Sequence, residues 1–168
     1  RTVAFLGGTI GNFEPAERAV FLRSLRSVLA AGDHFLLGAD LVKPAELLVP
    51  AYDDAAGVTA EFNLNVLEVL NHRLGADFDR RSFRHRAVWN DRDEWIEMRL
   101  HAEHSMLVKI PTLRLEVTID RDEEIRTEIS AKFRRESLSA ELQQAGFTPR
   151  GWWTDEQEWF SVSLWGAG

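Results

Sequence analysis

The sequence contains no cysteine, no long apolar run and no cluster of basic residues. Without cysteine the chain has neither disulfide bonds nor thiolate metal sites, and it is compatible with a reducing compartment, so we expect a cytoplasmic protein. No apolar segment approaches the roughly 20 residues of a membrane span. No basic run exceeds two residues and the formal net charge is -7, so neither nucleic acid nor an anionic membrane surface is an expected partner.

What is present suits a folded chain. The 168 residues, 45% of them hydrophobic, are enough for one domain with a proper core and are incompatible with a disordered protein. The first residue is Arg1, which stands directly before an apolar run with no polar lead-in or cap. We therefore expect a chain that is cut from a longer protein.

The opening stretch predicts a buried strand that delivers a loop. The run Val3–Leu6 is apolar at every position, which is typical of a parallel strand covered on both faces. Gly7, Gly8 and Gly11 then leave backbone bare beside anything bound there, and Asn12 carries two donors and an acceptor on a short stem. Because ligands of open α/β sheets lie at the carboxyl ends of strands, this loop is a candidate site. A simple strand-to-helix turn is the alternative.

A helix and a second strand follow the loop. Pro15 opens a helical pattern over Ala16–Ala31, and His34–Asp40 is a second short apolar strand. A right-handed parallel crossover is the default for such a unit, so the fold class predicted is α/β. The second strand also points its polar end, at Asp40, towards the candidate crevice.

In the middle of the chain, the spacing of apolar residues changes from the helical pattern to the alternation typical of strands. A short helix over 44–51 and a longer one over Val58–Leu74, capped by Gly75, lead into alternating strands. We predict a Rossmann-like core at 1–51, an inserted α+β substrate-binding subdomain at 52–133, and a return to the core at 134–168. The predicted strands lie at 83–89, 95–100, 106–110, 113–119, 125–133, 147–154 and 159–164, and the last helix at 137–145.

Glu128, Ile129 and Ser130 lie in an alternating strand. Glu128 and Ser130 therefore share one face, about 7 Å apart, while Ile129 points the other way. A carboxylate beside a hydroxyl can accept from one nitrogen of a neutral imidazole and donate to the other. An exposed strand face with no ligand is the alternative interpretation.

Other clusters favour structure over chemistry. His101 and His104 are three apart in a predicted strand and face opposite sides, which argues against a metal site. Asp91 belongs to a turn, and Asp53 and Asp54 are predicted to cap the following helix.

Several uncommon sequence segments occur in the order that they have in a known protein family. They are FLGGTIGN at 5–12, YDDAAGVT at 52–59, FN at 62–63, TEISAKF at 127–133 and WWTD at 152–155. In these segments the chain resembles the ergothioneine-biosynthetic histidine Nα-methyltransferases, and the resemblance extends over nearly its whole length. That resemblance implies a Rossmann-like enzyme that uses S-adenosylmethionine (SAM) and converts L-histidine to its trimethylated betaine, hercynine.

The resemblance also implies roles for individual residues. Asn12 and Tyr52 look like the catalytic residues that grip the amino-acid end of histidine, and Glu128 and Ser130 look like the readers of the imidazole. Met98 and Thr59 are similar to positions that line the same pocket, and Gly7 and its neighbour Gly8 to backbone that lies against the cofactor.

The chain differs from the family because it lacks several features that members carry. Members carry a Gly-rich first βα turn, an acidic ribose-binding residue and further pocket tyrosines before the strand that opens this chain. We therefore expect a C-terminal half whose partner is the missing N-terminal half of the same enzyme, and whose first strand is an unpaired edge. The alternatives are a related methyltransferase of another amino acid or amine, and a non-catalytic binding module.

Overall fold

A computed structural model describes residues 1–168. The chain divides into two compact units, the first formed by 1–44, 90–95 and 129–168, and the second by 45–89 and 96–128. Nine strands run over Thr2–Phe5 (β1), His34–Asp40 (β2), Phe83–Asn90 (β3), Trp95–Ala102 (β4), Met106–Ile110 (β5), Leu115–Ile119 (β6), Glu124–Ala131 (β7), Phe147–Thr154 (β8) and Phe160–Ala167 (β9). The four α-helices are Pro15–Ser27 (α1), Ala45–Tyr52 (α2), Val58–Leu74 (α3) and Arg135–Gln144 (α4).

The first unit is built on a four-stranded sheet of order β1-β2-β9-β8. β1 and β2 are parallel, as predicted, whereas β9 pairs antiparallel with both β2 and β8. The β2 strand has the predicted bounds, and its run of apolar residues fits a strand that is paired on both sides. The predicted α/β class is confirmed.

The burial of β1 corrects the expectation that both of its faces are covered. Val3 and Phe5 are half-buried, but Thr2 and Ala4 are exposed, so only one face of this strand is covered. Its second hydrogen-bonding edge has no neighbouring strand. An edge strand of this kind is open to pairing with further chain.

Helix α1 begins where the sequence predicts and ends earlier. Pro15 occupies the first turn, and Glu14 and Glu17 form a capping box. The helix stops at Ser27 rather than at residue 31, because the chain tightens into turns and the carboxylate of Asp33 accepts a hydrogen bond from the backbone N–H of Ala30 at 2.9 Å.

Helices α1 and α4 are joined by a partly buried ion pair. Arg18, 5% exposed, donates from Nε and Nη2 to the two carboxylate oxygens of Glu141 at 2.6 and 2.9 Å. Such a bidentate pair fixes orientation as well as charge. The apolar core of this unit is formed by Ile10, Leu22, Leu29, Phe35, Leu37, Ala39, Leu41, Ala131, Phe133, Leu138, Leu142, Phe147, Trp165 and Ala167.

The second unit contains α2, α3 and most of a three-stranded sheet of order β3-β4-β7, together with the antiparallel pair β5-β6. Helix α3 has the predicted bounds and ends at Gly75, whose φ of 65° is the left-handed conformation that glycine adopts at helix ends. Its core is formed by Leu67, Phe83, Leu100, Ala102, Val108, Ile110 and Ile119. The substrate-binding role assigned to this part of the chain stays a prediction.

Candidate functional site

The loop after β1 presents backbone. Gly7 and Gly8 have φ of 84° and 76°, and a Cβ added at either would meet no atom within 4 Å. The left-handed conformation explains why glycine stands at both positions. Open space beside their backbone is what close approach of a bound cofactor requires, so these two residues fit the predicted contact.

Gly11 has a different role from the one predicted. It lies in the short 3₁₀ helix Thr9–Asn12 and is buried, and a Cβ there would stand 2.7 Å from the backbone oxygen of Ala131. Its missing side chain therefore makes room for the end of β7, not for a ligand. This contact places the segment that carries Asn12 beside the end of the strand that carries Ser130. Asn12 itself is exposed.

Glu128 and Ser130 lie on one face of β7. Glu128 is half-buried and Ser130 is 8% exposed, while Ile129 points to the opposite side and is buried. This burial argues against the alternative of an exposed strand face. A buried hydroxyl therefore stands on the same strand face as a partly buried carboxylate.

A charged cluster stands at the ends of β2 and β7. The Asp40 carboxylate pairs with Lys43 at 2.5 Å and with Lys132 at 3.0 Å. Lys132 Nζ also donates to Ser130 Oγ at 2.8 Å. Lys132 therefore connects Asp40, at the polar end of β2, to Ser130, which is predicted to bind the imidazole. The sequence places this end of β2 at the candidate crevice.

In the second unit, a buried polar network holds the backbone of Tyr52. His85 Nε2 lies 2.7 Å from the carbonyl oxygen of Tyr52, and its Nδ1 lies 2.9 Å from Asn63 Nδ2. A carbonyl only accepts, so Nε2 carries the hydrogen and Nδ1 accepts from Asn63. The two partners of His85 thus set the orientation of its ring.

The same network reaches Met98 and the strand of Glu128. Asn63 also donates to the Arg99 carbonyl at 3.2 Å, and the Thr127 hydroxyl lies 2.6 Å from Asn63 Oδ1 and 2.9 Å from the Met98 carbonyl oxygen. Thr127 immediately precedes Glu128. One set of buried and half-buried side chains therefore fixes the backbone at or beside three predicted pocket residues, Tyr52, Met98 and Glu128.

Thr59, the fourth predicted residue of this unit, lies in the first turn of α3. Its backbone N–H donates to Asp54 at 2.7 Å, and that of Val58 donates at 3.1 Å. These hydrogen bonds, chiefly the one from Thr59, lower the pKa of Asp54 from 3.8 to about 2. Because the folded-state pKa is depressed, the stabilisation is present above pH 3.8 and is lost as the pH falls towards about 2. The predicted capping is confirmed for Asp54; Asp53 makes no such contact.

Sequence reasoning did not identify Asn63, His85, Thr127 or Lys132 as site residues. A usable signal exists for Asn63, which shares a helical face with the core residue Leu67 four positions on. An asparagine facing a core predicts buried partners. For Lys132 no local pattern gives a signal, because its partner Asp40 is remote in sequence.

Three general findings bound the chemistry. No group of three or more histidine, aspartate or glutamate side chains lies close enough together to hold a metal ion. None of the helices is long and apolar enough to cross a membrane. A cavity of about 500 Å³ in the first unit is lined by other residues, including Trp152 and Arg135, and by none of the predicted site residues.

Comparison with known proteins agrees with these features. Residues 1–167 match the family model described as histidine-specific methyltransferase, SAM-dependent. The chain is 53% identical over 164 residues to the histidine N-alpha-methyltransferase of Mycolicibacterium smegmatis, covering 98% of this chain and 51% of that protein. It is 35% identical over 91 residues to ergothioneine biosynthesis protein 1 of Schizosaccharomyces pombe, covering 54% of this chain and 12% of that protein.

Comparison with solved structures supports the predicted fold class. A SAM-dependent methyltransferase structure from Clostridium acetobutylicum aligns with a TM-score of 0.51 at 10% identity, covering 99% of this chain and 58% of that one. This chain spans about half the length of the Mycolicibacterium smegmatis protein. The family match over residues 1–167 shows that the chain belongs to the family of SAM-dependent, histidine-specific methyltransferases.

Proposed function

We propose that this chain supplies the histidine-binding part, and one part of the cofactor site, of an enzyme that trimethylates the α-amino group of L-histidine to hercynine in ergothioneine biosynthesis. The observation that carries the proposal is the face of β7, where a half-buried carboxylate stands beside a buried hydroxyl. These two groups match the one donor and one acceptor of a neutral imidazole.

The ring of histidine would be held by Glu128 and Ser130. Glu128 accepts from the ring N–H, and Ser130 donates to the other ring nitrogen. A substrate without that N–H would leave the Glu128 carboxylate without its partner, and sites of this kind reject such analogues by factors of up to about 10⁴. Selectivity for histidine therefore rests on the pair.

The amino-acid end would be held by Asn12 and Tyr52. Methyl transfer to an amine is an in-line displacement that needs an unprotonated nitrogen at roughly 3 to 3.5 Å from the methyl carbon. Asn12 and Tyr52 bind and orient that end, while Met98 and Thr59 line the pocket. The buried network of Asn63, His85 and Thr127 keeps the backbone of this pocket in place.

SAM, when bound, supplies the methyl group from its sulfonium. Within this chain, the backbone of Gly7 and Gly8 fits a contact to it, since both stand beside open space. We propose that the rest of the cofactor site lies in a further segment, corresponding to the part of the longer relatives that this chain does not match. The extended protein below means this chain together with that segment. A cytoplasmic location is part of the proposal, supported by the absence of cysteine.

A comparison of substrates tests the proposal. The extended protein with SAM should methylate L-histidine at the α-nitrogen at least about 10³-fold more efficiently, in kcat/KM, than L-phenylalanine or L-tryptophan, which cannot satisfy both Glu128 and Ser130. Mass spectrometry of the products gives the number of methyl groups. Equal or greater efficiency with another amino acid would assign the site to that substrate instead, and absence of any methylation would favour a binding module.

A further inference from the structure

Lys132 is a buried cation beside Ser130, one of the two residues proposed to bind the histidine ring. Its side chain is 1% exposed, and its Nζ lies 2.8 Å from Ser130 Oγ and 3.0 Å from Asp40 Oδ2. Burying an ammonium group costs several kcal/mol unless partners compensate for the lost water. Asp40 supplies the compensating charge and Ser130 a further acceptor, so these two contacts hold the ammonium group in place.

The backbone around Lys132 is held as firmly as its side chain. The Lys132 N–H donates to the Glu94 carbonyl at 2.8 Å, and the next N–H, of Phe133, donates to the Asp40 carbonyl at 2.9 Å. Phe133 also forms a parallel bridge with Leu41, the residue after β2. The ammonium group is thus aimed at Ser130 by a segment that is pinned to the end of β2.

The contact with Lys132 decides how Ser130 can act. A hydroxyl has one hydrogen to donate, and an ammonium group has only donors. Ser130 Oγ must therefore accept from Lys132, which directs its own hydrogen elsewhere. A hydroxyl that accepts from a cation is also polarised into a stronger donor.

We propose that Lys132 is a positioning residue that makes Ser130 a hydrogen-bond donor to the substrate ring, so that the site binds neutral imidazole in one tautomer. This inference rests on the proposed function. Ser130 then donates to the ring nitrogen that carries the lone pair, and Glu128 accepts from the nitrogen that carries the hydrogen.

Asp40 has two lysine partners, which provides a matched control. Lys43 pairs with the same carboxylate, but only Lys132 has a hydrogen bond to Ser130. In the extended protein, Lys132→Met should raise the Kd of histidine about 10- to 50-fold, the size expected for a lost charge-assisted hydrogen bond network, and leave the affinity for S-adenosylhomocysteine within about twofold. Lys43→Met should leave both affinities within about twofold.

A double-mutant cycle separates positioning from a merely structural role. Ser130→Ala should weaken histidine binding to a similar extent, and adding Lys132→Met to Ser130→Ala should change the Kd by no more than about twofold, because the lysine acts through the hydroxyl. The KM for histidine should rise while kcat at saturation changes little. An effect of Lys132→Met that is equally large with and without Ser130 would overturn the inference.

A spectroscopic measurement on the unaltered enzyme tests the ring tautomer that the inference requires, even if Lys132→Met does not fold. Histidine labelled with ¹⁵N in the ring, bound to the extended protein with S-adenosylhomocysteine, should show one protonated and one unprotonated ring nitrogen as two separate signals. Two protonated nitrogens, or one averaged signal, would overturn the inference. If Glu128→Ala and Ser130→Ala both leave histidine affinity unchanged, the proposed function itself fails; if both weaken it and Lys132→Met does not, only the role of Lys132 fails.

Discussion

Replacing Glu128 by alanine in the extended protein is expected to weaken histidine binding by about 100-fold or more, while the affinity for S-adenosylhomocysteine stays within about twofold. The variant removes the only charged acceptor proposed for the ring N–H. The ring N–H would then be taken out of water with no hydrogen-bond partner, which costs binding free energy. Calorimetric titration of each ligand gives both affinities.

The matched control is Glu116→Ala. Glu116 is an exposed glutamate on β6, in the same unit as Glu128, and its carboxylate lies 4.0 Å from Lys109 at the surface. This control should leave both affinities unchanged, since exposed ion pairs contribute little. An unchanged histidine affinity in Glu128→Ala would remove Glu128 from the site and with it the proposed basis of selectivity.

Asn63→Ala is expected to lower the free energy of unfolding by about 3 kcal/mol. Asn63 is 3% exposed and bonds to His85, to the Arg99 carbonyl and to Thr127. Truncation leaves His85 Nδ1, which has Asn63 as its partner in the network, without a donor, and each buried polar group left unpaired costs about 1 to 3 kcal/mol. Urea denaturation followed by tryptophan fluorescence measures the change.

Asn65 provides the comparison on the same helix. It lies two positions further along α3 and is exposed, so Asn65→Ala should change the free energy of unfolding by no more than about 0.5 kcal/mol. Equal stability of the two variants would mean that the network of Asn63, His85 and Thr127 does not hold the second unit together.

Much of the fold follows from local patterns in the sequence. The bounds of β2 are predictable because a continuous apolar run ends at a polar residue, Asp40. Those of α3 are predictable because Gly75 accepts the left-handed conformation that ends a helix. Elements whose limits depend on a single residue type are the ones that sequence reasoning places well.

Features that depend on distant partners were not predictable. The insertion of β9 between β2 and β8 is decided by pairing between segments more than 100 residues apart, which leaves no local trace. Likewise, Gly11 reads as a bare loop glycine until the end of β7 is seen against it. The premature end of α1 depends on where Asp33 turns back.

The candidate site divides in the same way. Glu128 and Ser130 are predictable as a pair because strand alternation puts them on one face. Their burial, and the lysine that bonds to Ser130, come from packing that no spacing rule reveals. The roles of Asn12, Tyr52, Thr59 and Met98 come from family resemblance, and they remain predictions.

The most direct test of the central claim is calorimetric titration of L-histidine, with and without S-adenosylhomocysteine, into this chain and into the extended protein. We expect that only the extended protein binds histidine tightly, and that each ligand strengthens the binding of the other, because a coupling free energy between two sites is reciprocal. Equally tight binding of histidine by this chain alone would show that its residues form a complete and autonomous site. Absence of binding by the extended protein would contradict the assignment of histidine as the substrate.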